Sequence, residues 1–432
     1  MTSKGRIIVI GAGMAGLTAA HFLKEAGFDV VVVEKENRPG GRVISVHKDG
    51  DVLDVGAQFL HSNYRLTLEL TTKFNMASDL VQMQDDDMIM RDGRAHIIPW
   101  GSVRIPAVSI WSQLKMARLF IPIFLRKANM ALEGWPGLLD LDKLELATYA
   151  RLKLNNESLE YVVRPLMLTY SMSEPEGISL AYFLRSLYMY VTTKAYCFRS
   201  GNDVLAKTMS KNLDIRYESP VKKLLKGAKG EICGVQTSSD ELEGLAVISA
   251  VPSPALFSLY PDWNREQSAF LQDFTFSKMP LVLFEGKIRD TITYWGGVFD
   301  RRAGHRVSFV TYPHRKYTNA CKANYLLAWS MGSFGEELLD LPDEGIAEAV
   351  AAELRKAIPA DADSLKPVSI VRHHHTFPQF KVGMFEKLLH FRVSEGQPAG
   401  LYFAGDYMEG GIIEGAVQSG YKAAQRLIAA CS

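Results

Sequence analysis

The chain has 432 residues, of which 47% are hydrophobic and 22% are charged, a composition typical of a globular protein. Its 49 Lys and Arg residues almost balance its 48 Asp and Glu residues, which excludes a global positive field for nucleic acid. The four cysteines are far apart and form no C-x-x-C pair, which argues against a zinc site or a disulfide scaffold. Neither a signal peptide nor a membrane-spanning segment is expected.

The first predicted elements surround a turn rich in glycine. A strand is predicted over residues 6–10, a helix over 14–26 and a second strand over 29–33. Gly11 permits a tight turn, Gly13 lets a pyrophosphate approach the backbone, and Gly16 lets the helix pack on the strand. Glu34 follows Gly16 by 18 residues and is placed to accept hydrogen bonds from a ribose. The stretch predicts a dinucleotide site at a helix N-terminus.

Two further segments extend this predicted site. Gly40 and Gly41 bring the backbone close to a ligand, and Arg42 adds a fork of donors that suits phosphate oxygens. A surface turn with a solvated arginine is the alternative, but the position just after the ribose acid favours a second pyrophosphate contact. Downstream, the small residues Gly56 and Ala57 allow a flat ligand to lie against the backbone.

Together these motifs resemble the flavin-containing amine oxidase superfamily, which includes monoamine and polyamine oxidases, protoporphyrinogen oxidase and phytoene-desaturase-like enzymes. The shared series is G-x-G-x-x-G, an acid, R-x-G-G-R and L-D-x-G-A-Q-F. Glu36 departs from the pattern, since relatives often carry a basic residue there. The resemblance implies FAD as the cofactor, in contact with Gly11, Gly13, Ala15, Gly16, Glu34, Lys35, Gly41, Arg42, Gly56, Ala57, Gln58, Phe59 and Val221.

Residues 104–130 combine apolar side chains with regularly placed basic ones. The pattern fits an amphipathic helix on a membrane surface. It also fits a helix of a substrate-covering domain with one buried and one solvated face, and this second interpretation is favoured. Helical segments at 159–170 and 178–191 continue the insert, which in the superfamily roofs the flavin.

An apolar segment at 274–284 contains Lys278. Many amine-oxidase relatives hold a lysine near this point that is bridged through water to flavin N5, so the resemblance makes Lys278 the candidate catalytic residue. A solvated lysine at the start of a strand is the favoured alternative, because lysine side chains are mostly exposed. Further strands are predicted at 294–299, 307–312 and 325–330, and a helix at 346–358.

Three adjacent histidines at 373–375 do not predict a metal site. Neighbouring residues on a strand point to opposite faces, so these side chains cannot converge on one ion, and no H-E-x-x-H motif supports one. No metal is therefore expected. The segment is similar to R-W-x-x-A-x-P-Q-Y-x-x-G of the superfamily, with His373 in place of the tryptophan.

The glycine-rich stretches 400–406 and 410–420 resemble the superfamily's C-terminal signature. The resemblance implies that Gly405 and Asp406 hold the flavin pyrophosphate and ribityl chain. It also implies that a helix beginning near Gly415, with Ala416 and Val417, points its N-terminus at the flavin N1–C2 carbonyl, where it stabilises negative charge. A plain surface helix would explain the periodicity but not the glycines.

The resemblance implies an α/β fold with a discontinuous, Rossmann-like FAD-binding domain (1–78, 200–272 and 385–432). A substrate-binding α+β domain (79–199 and 273–384) is inserted in two pieces. FAD is expected to be non-covalent, because Met384 stands where monoamine oxidases attach flavin through a cysteine. The protein is expected to be cytoplasmic, with peripheral contact to a membrane through 104–130 as the alternative that is not favoured.

The implied activity is hydride transfer from a substrate carbon to flavin N5, with O2 as the expected oxidant of the flavin. A bulky, largely apolar small molecule, dehydrogenated at C–C or C–N, is the favoured substrate. Ile412 stands where monoamine oxidases have an aromatic cage residue, and P-Q-F-x-x-G is similar to the protoporphyrinogen oxidase and desaturase branch. A simple amine oxidase that yields imine and H2O2 is the first alternative. A non-catalytic, FAD-stabilised binding protein is the second.

Overall fold

The structure is a computed structural model that describes residues 4–84, 86–132, 135–393 and 397–432. These residues form twenty strands: β1 Arg6–Ile10, β2 Asp29–Val33, β3 Ser45–Lys48, β4 Asp51–Asp54, β5 Leu60–His61, β6 Leu80–Gln82, β7 Asp87–Arg91, β8 Arg94–Ile98, β9 Ala195–Phe198, β10 Asp214–Arg216, β11 Lys223–Lys226, β12 Ile232–Gln236, β13 Glu241–Glu243, β14 Ala246–Ser249, β15 Met279–Glu285, β16 Gly296–Val298, β17 Phe309–Thr311, β18 Tyr325–Trp329, β19 Lys366–His373 and β20 Leu401–Phe403.

The same residues form sixteen α-helices: α1 Met14–Glu25, α2 Arg65–Lys73, α3 Ile110–Leu125, α4 Leu139–Asp142, α5 Leu146–Lys153, α6 Asn156–Ser158, α7 Arg164–Ser171, α8 Leu180–Thr192, α9 Val204–Ser210, α10 Ser253–Leu259, α11 Arg265–Asp273, α12 Gly332–Leu339, α13 Asp343–Ala357, α14 Pro359–Ala362, α15 Met384–Val393 and α16 Ile413–Ala430. None of these described helices is both long and apolar enough to cross a lipid bilayer.

A five-stranded parallel sheet has the order β10-β2-β1-β14-β20. Its central strand β1 pairs with β2 on one side and with β14 on the other, with Ile8 level with Val31 and Val247. All three side chains are buried, as is usual for parallel strands that are covered on both faces. Because the strands come from both ends and the middle of the chain, the sheet brings distant motifs to one edge.

Helices α1 and α16 pack against each other beside this sheet. A Cβ atom on Gly420 of α16 would overlap the carbonyl oxygen of Ala15 in α1, so only glycine permits the close approach. The last helix of the chain is thereby held against the first, and the N-termini of both belong to the glycine-rich motifs.

A second, seven-stranded sheet has the order β19-β15-β18-β17-β16-β7-β8. Its pairings are antiparallel except between β16 and β7, which run parallel. Helices α3 to α8 cover one region of it, and Phe183 and Leu184 of α8 are fully buried there. The mixed α/β architecture agrees with the expected fold class.

Candidate functional site

Gly11, Gly13 and Gly16 have different structural roles where β1 leads into α1. A Cβ atom on Gly16 would overlap the carbonyl oxygen of Gly11, which itself has a φ of +98°. Gly13 has an ordinary φ of −71°, and nothing lies within 4 Å of the place where its Cβ would stand. No side chain caps α1 at this end. The open space over an uncapped helix N-terminus suits a phosphate group.

Glu34 lies at the end of β2 and is buried beside this turn. One carboxylate oxygen accepts a 2.6 Å hydrogen bond from the backbone N–H of Ala12, and the other accepts a 2.9 Å bond from that of Glu36. The backbone N–H of Ser219 donates to the Glu34 carbonyl at 2.8 Å. This bond brings the segment that leads to Val221 next to the acid, while Lys35 is exposed.

The second glycine turn lies directly on the first. The backbone N–H of Gly40 donates to the carbonyl of Ala12 at 2.9 Å. Gly41 has a φ of +57°, and a Cβ there would stand 3.3 Å from the Cα of Gly13. The two turns therefore share one space, as their predicted common ligand requires.

Arg42 joins the beginning of the chain to its end. Its guanidinium donates to both carboxylate oxygens of Asp406, at 2.8 and 2.7 Å, across 364 residues of sequence. It also donates to the carbonyl of Thr376 at 2.9 Å. Fork-to-fork pairs of this kind fix orientation as well as distance. The structure thus brings together two residues that the sequence analysis placed on the same cofactor.

Gly56 is required for a different reason from the one expected. A Cβ atom there would overlap the carbonyl oxygen of Arg42, so the glycine allows the chain to pack on its own backbone. The backbone N–H of Ala57 donates to that same carbonyl at 3.1 Å. The side chain of Gln58 donates to the carbonyls of Asp54 and Gly56, at 2.8 and 2.9 Å, and is buried. This segment holds the second glycine turn in place.

The C-terminal motif begins at Gly405, whose φ of +136° suits glycine and whose N–H donates to the hydroxyl of Ser419 at 2.9 Å. Helix α16 starts at Ile413 without a side-chain cap. Gly415, Ala416 and Val417 lie in its first two turns. This end of the helix adds a positive dipole end to the site.

Glu414 belongs to the first turn of α16, yet its carboxylate serves another helix. It accepts hydrogen bonds from the backbone N–H groups of Leu66 and Thr67, both at 2.9 Å, and so caps α2. The acid of the glycine-rich stretch 410–420 therefore has a structural partner that the sequence did not indicate. We call the segments 11–16, 34, 40–42, 56–59 and 405–417 together the glycine cradle.

A buried ion pair close to segment 56–59 of the glycine cradle was not predicted from the sequence. The Lys316 ammonium donates to the Asp54 carboxylate, which also accepts from the Ser45 hydroxyl at 2.6 Å and from the Asn202 N–H at 2.8 Å. Burial acts to lower the pKa of Lys316, but the Asp54 carboxylate outweighs it and the pKa is raised. Asp54 ends β4 and Lys316 lies in the loop after β17, so the pair joins the β3–β4 hairpin to a loop of the seven-stranded sheet.

A group of aromatic side chains begins at Phe59, the last residue of the cradle segment 56–59. His61, two residues later, lies between Tyr170, whose hydroxyl is 2.8 Å from its Nε2, and Thr193, whose hydroxyl is 2.7 Å from its Nδ1. Burial lowers the pKa of His61 to about 3, so this imidazole is neutral. With Trp100 and Tyr190, whose rings are 4.9 Å apart, these side chains form the aromatic cluster: Phe59, His61, Trp100, Tyr170 and Tyr190.

A cavity that is partly open to solvent lies beyond the aromatic cluster. Strands β7, β8 and β16 and helices α3, α7 and α8 contribute to it. Among the described residues that line it, Asp87, Ser102, Thr169 and Tyr190 carry polar groups and the others are apolar. Tyr190 belongs both to this wall and to the aromatic cluster, so the cluster packs between the cavity and Phe59 of the glycine cradle.

Lys278 lies just before β15 and is exposed. The next residue, Met279, is fully buried and packs in a cluster that includes Val55 and Leu168. The exposed position agrees with the solvated alternative, while the catalytic role stays a prediction.

The fold and site define a dinucleotide-binding α/β protein that also contains a separate apolar cavity. The chain belongs to the flavin-containing amine oxidoreductases, since that family's model matches residues 14–428. The expected family and FAD as its cofactor are thus confirmed. The glycine cradle fits FAD, because it offers an uncapped helix N-terminus at each end of the site and an open space at Gly13.

Two curated relatives illustrate the range of similarity. Coproporphyrinogen III oxidase of Staphylococcus aureus is 29% identical over 167 residues, which span 37% of this chain and 35% of that protein. The chain thus matches only about a third of that relative's length. Protoporphyrinogen oxidase 2 of Arabidopsis thaliana is 21% identical over 98% of this chain and 94% of its own.

Solved structures share the whole architecture. Cyclohexylamine oxidase from Brevibacterium oxydans superposes with a TM-score of 0.72 over 98% of this chain and 99% of its own, at 19% identity. At this identity the likeness shows the fold alone.

Proposed function

We propose that the protein is an FAD-dependent oxidoreductase that removes hydride from a carbon of a bulky, largely apolar substrate, at a C–C or C–N bond. The observation that carries the proposal is the apolar cavity, whose wall residue Tyr190 packs on Trp100, which in turn contacts Phe59 of the glycine cradle. When bound, FAD supplies a hydride acceptor at N5. Reoxidation by O2 is part of the same proposal.

The proposal assigns the ADP end of FAD to Gly11, Gly13, Gly16, Glu34 and Val221, with Arg42 and Gly41 at the pyrophosphate. It assigns the flavin end to the segments 56–59 and 405–417. Asp406 is held by Arg42, so it orients the clamp rather than repelling the phosphates as a free carboxylate would. Non-covalent attachment is part of the proposal, because the sequence has no cysteine between Cys321 and Cys431.

The chain's own side chains would shape the reaction mainly by position and by exclusion of water. The neutral His61 is held on both nitrogens and offers no free base to the cavity. The apolar walls bury a substrate without offering many hydrogen-bond partners. Recognition by shape therefore fits a large apolar molecule better than a small charged one.

One observation favours a second candidate, the oxidation of an amine. Asp87 contributes the carboxylate in the cavity wall, and a carboxylate there would attract a substrate ammonium group. An amine with a bulky apolar body would satisfy both features of the cavity.

The test measures anaerobic reduction of the FAD-loaded protein, which is monitored through the loss of flavin absorbance. We expect bleaching by partly saturated polycyclic compounds, such as porphyrinogens, and by apolar amines of similar size. Rapid bleaching by small aliphatic amines alone would contradict the proposal. Asp87→Asn separates the two candidates, because it should slow reduction by amines and leave reduction by neutral substrates unchanged.

A further inference from the structure

Helix α3, residues Ile110–Leu125, is apolar on both faces. Its buried face, Ser112, Met116, Leu119 and Ile123, packs inward. On the opposite face Trp111 is 72% exposed and Phe124 is 82% exposed. Four further large apolar side chains on this face are each more than half exposed: Ile110, Leu114, Ile121 and Leu125. We call these six residues the outer face of α3.

The geometry of the helix gathers these six side chains into one stripe. At 100° per residue they fall within an arc of about 140°. A helix with a solvated outer side would carry polar residues along this arc. The favoured expectation of one buried and one solvated face therefore describes only the inner side of α3.

Basic residues predominate along the segment that contains the outer face, although Glu157 accepts from Ser109 and Ser112 at the start of α3. The sequence from 93 to 132 contains six Lys and Arg residues and no Asp or Glu, although the whole chain has a formal charge of only +1. Arg118 lies within the arc and is exposed. The half-buried Lys115 lies about 40° beyond the arc, and Arg104 and Lys127 are exposed near the ends of the helix. Arg126 is paired with Asp140, and Arg118 donates to the carbonyl of Lys153 at 2.9 Å.

We propose that the outer face of α3 docks on an anionic lipid bilayer, with the helix lying in the plane of the interface. Trp111, Leu114 and Phe124 would enter the boundary between head groups and acyl chains. Arg104, Lys115 and Lys127 would meet lipid phosphates, and Arg118 would extend its side chain to them. Apolar burial and basic attraction together are the two signals that stable peripheral binding needs.

The charge pattern also argues against a second copy of the chain as the occupant. A symmetric dimer through the outer face would bring the exposed Arg118 and the nearby Lys115 of one protomer close to the same residues of the other. Like charges so placed repel each other. A lipid surface supplies the opposite charge and the apolar phase at once.

Docking here would place α3 between the bilayer and the cavity, with the side of the cavity at Val103 near the lipid surface. Met116, Leu119 and Phe120 of α3 line the cavity, and so does the exposed Val103. A bulky apolar substrate could thus pass from lipid into the cavity without crossing water. This consequence rests on the proposed function, whereas the docking itself does not.

The test is sedimentation of the FAD-loaded full chain with vesicles of phosphatidylcholine alone or mixed with phosphatidylglycerol. We expect binding to the anionic vesicles that weakens as salt rises. Replacing the three apolar residues together (Trp111→Ser, Leu114→Ser, Phe124→Ser) should weaken binding by roughly tenfold or more. The matched control replaces three exposed apolar residues elsewhere (Leu245→Ser, Leu341→Ser, Val393→Ser) and should bind as the parent does.

Equal binding by the two triple variants would overturn the proposal. So would a parent chain that ignores vesicles but forms dimers that the α3 variant abolishes. If the α3 variant does not fold, Trp111→Phe replaces it: a blue shift of tryptophan fluorescence on anionic vesicles should fall relative to the parent while binding persists. An undiminished shift would contradict insertion of Trp111. Since no substrate is involved, failure here is distinct from failure of the proposed activity.

Discussion

The glycine cradle and the apolar cavity are built in opposite ways. In the cradle, backbone lies on backbone, so that Gly16 and Gly56 have no tolerated replacement. In the cavity, branched and aromatic side chains of similar size fill a wall, and many combinations would give the same volume. The cradle is therefore specific to its ligand at the level of single residues, while the cavity is specific only through its shape.

The two regions also differ in how their polar groups are satisfied. The cradle ties segments from both ends of the chain by hydrogen bonds such as those of Arg42 with Asp406. The cavity wall has few polar side chains. This difference explains why the cofactor is easier to assign than the substrate, and each of the following substitutions tests it.

The largest effect is expected at Gly16, compared with Gly13. Gly16→Ala places a Cβ on the carbonyl oxygen of Gly11 and should cost about 3 kcal/mol or more of unfolding free energy. Gly13→Ala meets no protein atom and should leave the apoprotein's stability within about 0.5 kcal/mol. The measurements are denaturant unfolding of the apoprotein and titration with FAD.

Gly13→Ala should nevertheless weaken FAD binding by about tenfold or more, because its methyl group enters the space assigned to phosphate. If Gly13→Ala binds FAD as the parent does, the phosphates lie elsewhere. If Gly16→Ala is as stable as the parent, the packing of the turn is not what requires glycine.

The next effect is expected at the buried ion pair of Lys316 with Asp54, close to segment 56–59 of the cradle. Lys316→Met leaves the buried Asp54 carboxylate without its cation and should cost about 3–5 kcal/mol. Adding Asp54→Asn should recover much of this loss, since the amide oxygen can still accept from Ser45 and Asn202. Denaturant unfolding of the single and double variants measures both changes, with the exposed Lys223→Met as control. A double variant no more stable than Lys316→Met would show that the cost is not electrostatic.

The sequence predicted the elements whose patterns are local. The helix expected at 14–26 is observed at Met14–Glu25, and the strand expected at 325–330 at Tyr325–Trp329. The strand observed at Gly296–Val298 is shorter than the predicted 294–299, because the flanking aromatic residues are buried although they lie outside the strand. Periodicity reports burial, and burial continues past the ends of the strand.

The features that were missed depend on contacts between distant segments. Lys316 lies 262 residues from Asp54, and its flanking residues give no signal that it is buried. Glu414 belongs to a glycine-rich motif, and its role as the cap of α2 appears only in three dimensions. The cavity is missed for the same reason, since its wall combines strands and helices that are far apart in the chain.

A smaller effect is expected from pH through His61. Burial keeps the pKa of His61 at about 3 in the folded protein, against an ordinary value of 6.5 in the unfolded chain. The unfolded state therefore binds more protons, and stability falls as pH decreases from about 6.5 towards 3. Between pH 7 and pH 5 this one residue should cost about 2 kcal/mol.

The comparison is His61→Gln, which keeps hydrogen-bonding groups but does not titrate. The parent should lose about 2 kcal/mol more than the variant over that interval when both are unfolded by denaturant. His373 and His375, whose pKa values burial lowers to about 4, are present in both proteins and cancel. Parallel pH profiles would mean that His61 is not held neutral.

The smallest effect is expected at Lys278, where the resemblance and the structure point in different directions. Its side chain is exposed, so Lys278→Met should change the rate of anaerobic flavin reduction by less than about twofold. A tenfold fall in that rate with unchanged KM would instead give Lys278 the predicted catalytic role. The buried neighbour Met279 belongs to the same apolar cluster as Val55, the residue before Gly56 of the cradle. At this point the seven-stranded sheet approaches the cradle through apolar side chains. An unchanged rate would mean that the difference between the cradle and the cavity also holds in catalysis. The cavity region would contribute shape, and the cofactor bound in the cradle would contribute the reactive group.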